Sequence, residues 1–342
     1  MARIDLMAVT QWITAAAHTH GATLPSVVME RLSISRRAAL RLLGRLVAAQ
    51  WLLREGTRGN AVYRPGALKQ VVRRYGLAGL QEDLPWRRDF APFFTLPPTV
   101  ARMAQHAFSE LLNNAIDHSG GTSVTVSLRQ TAMHVQLLVC DDGCGVFSRI
   151  EQNFEINDPA LAMLELSKGK LTSQPDAHSG HGLFFTSRLA DVFDLHANHS
   201  AFQRRSWDRR GWQCGRPMPH QGTSIYLAIA LDTARTLDAV LRSHSADGAG
   251  LGFETTQVPL QLITGEQTGL ESRAQAKRVA ARLQRFRRAE VDFSGIADIG
   301  HGFADELFRV FPRQHPQLEL VPLHMAPRVA EMVNSVRALA AA

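Results

Sequence analysis

Residues 107–121 read AFSELLNNAIDHSGG, and this stretch decides the fold of the middle of the chain. On a helix, Glu110, Asn113, Asn114, Asp117 and His118 follow the i, i+3, i+4, i+7, i+8 spacing and share one face. Leu111, Leu112, Ala115 and Ile116 take the other side. A face turned only to water usually mixes in Lys and Arg. This one offers carboxylates, amides and an imidazole, groups that bind cations, position water and accept protons. A plain solvated face is the alternative that this stretch alone leaves open.

The bulk numbers narrow the setting. A chain of 342 residues suffices for two or three domains. Hydrophobic content of 45% with 20% charged residues fits a soluble globular protein. No apolar run approaches the length of a membrane span, and MARIDLMAVT carries no signal-peptide pattern, so a cytoplasmic protein without a membrane partner is expected. Cys140, Cys144 and Cys214 have neither metal-site spacing nor a disulfide framework, which fits a reducing compartment. The net charge of +7 is concentrated at one end. Residues 1–75 hold 12 Lys+Arg against 3 Asp+Glu, and the other 267 residues hold 26 against 28. A basic head on a near-neutral body points to a nucleic-acid partner.

The head has the pattern of a winged helix-turn-helix over residues 1–75. An amphipathic helix is expected at 5–19, a second at 24–32, a turn at Ser33, Ile34 and Ser35, and a third helix at 35–49 that Ser35 can cap. WLLREG and NAVYRPG follow as strands around Thr57, Arg58, Gly59 and Asn60. The third helix carries Arg36, Arg37, Arg41 and Arg45, and the wing carries Arg58. These residues are the expected DNA contacts, with a winged helix used for protein contact as the alternative. Residues 76–98, punctuated by proline, are expected to be a linker.

A domain is expected at 99–232: a helix at 100–118, strands TSVTVSLRQ and HVQLLVCDD, a glycine turn, a variable segment, a second glycine turn, a helix at 183–191, and a closing strand TSIYLAIAL. Two further motifs join the first helix. In CDDGCGV, Asp141 ends a strand beside Gly143 and Gly145, and a carboxylate there can accept from an exocyclic amine. In HSGHGLFFTSRLADV, a glycine turn leads into a helix whose free amides can face phosphate oxygens. Each turn alone is weak evidence, and the order of all three is far more specific.

On these motifs the segment from about 99 to 230 resembles the GHKL ATP-binding family of gyrase, heat-shock-90, MutL-type and histidine-kinase ATPases, with its Bergerat-type α/β sandwich. The resemblance implies ATP and Mg2+ as cofactors. It places Glu110 as the catalytic acid and Asn114 as the ligand of the Mg2+ that bridges the phosphates. It sets His118 near the phosphates and Asp141 on the adenine amine, with Gly143 and Gly145 shaping that pocket. Gly180, His181, Gly182 and Leu183 would cradle phosphate, Thr223 would back the adenine pocket, and residues 147–179 would form a lid. Within that lid, Lys168 and Lys170 are candidates for the γ-phosphate, against the alternative of a solvated mobile lid. His181 would contribute only its backbone amide.

After a joint at 233–253, residues 254–342 alternate strand and helix three times. There VDFSGIADIGHGFADELFRVF resembles STAS domains, which implies a small βαβ fold and a protein-binding surface. A true anti-sigma antagonist has a phosphorylatable serine where this chain has Gly300, His301 and Gly302. Ser294 is a poor substitute. Asp292 and Asp305 are expected to be a turn carboxylate and an exposed helix carboxylate. Together these segments make a multidomain α/β protein. The leading expectation is a homodimeric ATP-dependent switch, a slow GHKL ATPase coupled to a DNA-binding head. The alternatives are an anti-sigma-type serine/threonine kinase acting on a partner protein, and an ATP-clamped dimeriser or scaffold.

Overall fold

Asp5 opens the first helix by accepting from the Met7 amide at 2.8 Å. The chain is described here from a computed structural model covering residues 4–57, 60–172, 180–250, 252–264 and 269–341. Helices α1 (Leu6–His20), α2 (Leu24–Leu32) and α3 (Arg36–Ala48) follow in the expected places. Ser33 sits in the left-handed region at φ 52° and ends α2, and Ser35 accepts from the Ala38 amide to start α3. Strands β1 (Leu52–Glu55) and β2 (Val62–Pro65) pair antiparallel. Val9, Ile13, Val28, Leu42, Leu43 and Leu46 bury one shared core, each contributing about 1.5–3 kcal/mol.

The chain divides into two compact units, 1–143 with 224–234, and 144–223 with 235–342. In the first unit, the expected boundary at residue 75 falls inside a strand. β3 (Lys69–Gly76) pairs antiparallel with β4 (Ser123–Gln130) along its whole length. It is also tied to the head, because the Gln70 amide donates to the buried Thr14 hydroxyl at 3.0 Å. Residues 76–98 are not a plain linker either. They coil through α4 (Asp83–Pro85) and two irregular turns, and they bury Trp86 and Phe90 edge-on against Phe108. Phe108 lies on α5 (Pro98–His118), which packs against β5 (His134–Asp141). The sheet order in this unit is β3, β4, β5 and then residues 224–230 of the later strand His220–Ala230, all antiparallel.

The second unit starts with α6 (Val146–Phe154), α7 (Pro159–Lys168) and α8 (Gly182–Leu189). An antiparallel ribbon follows: β6 (Val192–Asn198), β7 (Ser200–Arg205) and β8 (Trp212–Cys214). After the strand His220–Ala230, now β9, and α9 (Leu237–Arg242), the chain enters a parallel three-stranded sheet. Its strands are β10 (Thr255–Pro259), β11 (Arg288–Asp292) and β12 (Glu319–Leu323), in that order. Helices α10 (Arg273–Ala280), α11 (His301–Asp305), α12 (Phe311–Gln314) and α13 (Pro327–Ala341) supply the crossovers and the closing element. The expected strand–helix alternation is present, with one break. The first helix of this alternation stops at Ala280, and Arg282 takes a left-handed φ of 62°.

Candidate functional site

In the first unit, α5 buries Leu111, Leu112 and Ala115 and leaves Glu110, Asn113, Asn114 and His118 half-buried, with Asp117 exposed. The polar face of the opening stretch is therefore partly sheltered from bulk water, where a carboxylate and an amide one turn apart act on a ligand more strongly. The end of this helix meets the end of β5. Ser119 donates to the Ala115 carbonyl at 2.5 Å and accepts from the Gly121 amide at 3.0 Å. Gly143 lies so close that an added Cβ would sit 2.2 Å from the Ser119 carbonyl oxygen. Glycine is required there by contact.

Asp141 is buried and accepts from the Gly143 amide at 2.9 Å, which folds the turn back on the strand end. Its neighbour Asp142, to which sequence reasoning gave no role, staples the turn. It accepts from the Thr122 and Ser123 amides at 2.7 and 2.9 Å and from both hydroxyls. The Ser123 bonds, then those from Thr122, hold its carboxyl well below the usual range. The DD pair was the available signal, because two adjacent acids at a strand end point to opposite faces and serve different partners.

The second unit holds the remaining turn residues. Gly145 has φ 86°, and an added Cβ would meet the Asn198 amide at 2.6 Å. Asn198 braces that turn by donating to the Cys144 carbonyl at 2.8 Å while accepting from the Gly222 amide at 3.1 Å. It is a supporting residue that local patterning did not mark. Thr223 accepts from the Val146 amide at 3.0 Å, capping α6 from far along the chain.

Gly180, at φ 68°, His181 and Gly182 lead into α8. The N-cap residue His181 makes no side-chain cap bond to this helix. Its other end is fixed by three guanidiniums. Arg188 donates to the Phe184 carbonyl at 3.2 Å, Arg204 to Ser187 at 3.0 Å, and Arg235 to Leu189 at 2.8 Å. These cations satisfy terminal carbonyls and complement the negative end of the helix dipole. Burial first, then Arg235, lowers the Arg204 pKa to about 10.

The His181 ring does more than the expected backbone role. It packs edge-on against Phe253 at 4.8 Å, and burial together with the Lys170 charge lowers its pKa to about 4, so the imidazole is neutral at pH 7. Both lysines expected at the γ-phosphate have protein partners. Lys168 is 1% exposed, with its ammonium on Glu165 and on the Ala281 carbonyl at 3.0 Å. Lys170 donates to the Arg285 carbonyl at 2.8 Å. Lid residues 173–179 lie outside the described residues.

Of the two C-terminal carboxylates, Asp292 is the expected turn carboxylate, accepting from the Ser294 amide at 2.9 Å, and Asp305 differs from expectation. Asp305 is 2% exposed, not an exposed helix carboxylate, and pairs with Arg309 and with Arg273 at 3.1 Å. Asp292 is buried too, holding the Ser294 hydroxyl at 2.7 Å and a His324 ring nitrogen at 2.9 Å. In the head, Arg36, Arg37, Arg41 and Arg45 are all exposed on α3, and none has an ion pair among the described residues. Arg58 lies outside the described residues.

No group of three or more His, Cys, Asp or Glu that could hold a metal occurs among the described residues, and no helix there is long and apolar enough to cross a membrane. Glu110, Asn113 and Asn114, half-buried on α5, carry carboxylate and amide oxygens, the donor type that Mg2+ takes.

Comparison with known proteins agrees with the two resemblances. Residues 99–233 match the family described as histidine kinase-, DNA gyrase B-, and HSP90-like ATPase. Residues 275–329 match the STAS-like domain of unknown function (DUF4325). No curated protein matches the chain. The chain thus carries an ATPase domain of the histidine kinase, gyrase and heat-shock-90 type, followed by a STAS-like domain.

Proposed function

We propose that the protein is a Mg-ATP-dependent regulatory switch, a slow ATPase whose output is DNA binding by its winged helix-turn-helix head as a homodimer. The carrying observation is the sheltered Glu110 and Asn114 face of α5, inside a segment that matches an ATPase family over its whole expected length. In this reading Asn114 holds the Mg2+, which when bound neutralises phosphate charge. Glu110 orients the attacking water and takes its proton. Asp141 accepts from the adenine amine while the Gly143 amide keeps it oriented. His118 flanks the phosphates, Gly145 and Thr223 brace the base pocket, and the amides of His181, Gly182 and Leu183 receive phosphate oxygens. The STAS-like domain offers a protein-binding surface.

The head supports the DNA part of the reading through four exposed guanidiniums on one helix. Transfer of phosphate within the chain is disfavoured. The start of α11 has no hydroxyl, and Ser294 is buried with its hydroxyl on Asp292.

The test is incubation of the whole chain with Mg2+ and γ-labelled ATP, beside Glu110→Ala and Asn114→Ala. Release of free phosphate should fall at least about a hundredfold in Glu110→Ala, as expected for loss of a general base. Asn114→Ala should also lose nucleotide binding. Label that stays on protein would replace this reading with a kinase.

A further inference from the structure

Helix α7 and the STAS-like domain belong to the same compact unit, and the last turn of α7 is gripped by that domain. The Lys168 ammonium lies between Glu165 and the Ala281 carbonyl, and Arg282 donates to the second oxygen of Glu165 at 3.2 Å. The Lys168 carbonyl accepts from the buried Thr256 hydroxyl at 2.6 Å. Two residues on, the grip is reciprocal: Lys170 donates to the Arg285 carbonyl at 2.8 Å, and Arg285 donates back to the Lys170 carbonyl at 3.0 Å. The Lys170 ammonium also lies 4.4 Å from the centre of the Phe286 ring.

The receiving backbone is shaped for this. Residues 281–286 leave the helical path, with Arg282 in the left-handed region, so that the Ala281 and Arg285 carbonyls are available to side chains. On the lid side, Gly169 at φ 76° passes so near Phe253 that a Cβ would fall 2.5 Å from its ring. The grip also reaches the phosphate turn. The Lys170 amide donates to the Gly180 carbonyl at 3.0 Å, and Phe253 contacts both His181 and Phe184.

Arg149, Lys168 and Lys170 are the only Lys or Arg in residues 147–179. A triphosphate arriving at the Gly180 turn carries several negative charges, and the two lysines nearest that turn are already spent on the C-terminal domain.

We propose that the STAS-like domain is a built-in clamp that holds the lid through Lys168 and Lys170, and that nucleotide phosphates compete with the clamp for the Lys170 ammonium. This rests on the ATP reading above and adds its regulation. The chain on its own is held in the low-affinity state, and anything that displaces the 281–286 segment from the lid raises affinity for ATP. By linkage, ATP weakens the hold of the clamp by the same factor.

The test uses the full chain and two mild variants. Arg285→Ala removes an exposed side chain and one of the reciprocal bonds. Thr256→Val keeps shape and removes the bond to the Lys168 carbonyl. Amide hydrogen exchange over 166–171 is followed without nucleotide, and a fluorescent ATP analogue with Mg2+ is titrated separately. Both variants should speed exchange and tighten analogue binding by about threefold to tenfold, the share of one or two hydrogen bonds. Unchanged exchange would overturn the clamp. Faster exchange with equal or weaker binding would overturn the competition. Absence of binding in every form, with faster exchange in the variants, would instead sink the ATP reading and leave a clamp with no nucleotide to compete.

Discussion

At the residue scale, close approach does more than chemical type to define this site. Gly143 is needed because the Ser119 carbonyl occupies the place of a side chain. Gly143→Ala should therefore destabilise the first unit by about 1–3 kcal/mol through overpacking and should weaken ATP binding as the Asp141 turn shifts. Denaturant unfolding and a nucleotide titration on the same protein check both parts, and a variant with wild-type values in each would remove Gly143 from the site. The individual residues were unevenly legible. The tight turn at Asp141 and Gly143 could be read directly, because glycine after a strand end marks a place where the backbone turns closely. Asn198 could not, since its role depends on Cys144 and Gly222, neither of which is its neighbour in sequence. Lys168 read as a candidate for the γ-phosphate, or else as part of a solvated lid, because lysine is almost never buried without a partner and one of its partners is 113 residues away.

At the element scale, most helices and strands form where periodicity places them. The exceptions share a cause. β3 carries Lys69, Arg73 and Arg74 among its valines, so its charge suits a head and its pairing partner is invisible locally. Residues 76–98 contain enough proline to look irregular, yet Trp86 and Phe90 give them their own purchase on α5. The α3 helix permits a sharper expectation. Its arginines form an exposed row at 37, 41 and 45, a spacing of four that keeps them on one face. Arg41→Ala should lower duplex affinity at all sequences and reduce the slope of log K against log salt by about 0.9, one phosphate contact. Fluorescence anisotropy across a salt series reads this, and an unchanged slope would take α3 off the DNA.

At the scale of the molecule, the family matches and the compact units do not share boundaries. The ATPase-type segment 99–233 contributes 99–143 and 224–233 to one unit and 144–223 to the other, where the STAS-like domain also lies. The sequence offered a head, a body and a tail in series. Contacts at long sequence separation regroup them, because strand pairing and buried ion pairs are selected by three-dimensional fit and leave little trace in local composition. The head shares a unit with strands β3, β4 and β5, and helices α6 and α7 share a unit with the tail.

One consequence concerns how the protein can be cut. β3 covers the outer edge of β4 along Ser123–Gln130, and it lies upstream of the ATPase match. A fragment beginning at residue 99 would leave that ladder of amides and carbonyls bare, a ready template for another copy. Such a fragment should elute as aggregate in size-exclusion chromatography, whereas one beginning at residue 4 should not. The borders of ancestry and the borders of foldability are different lines on this chain, and the strand from Lys69 to Gly76 lies between them.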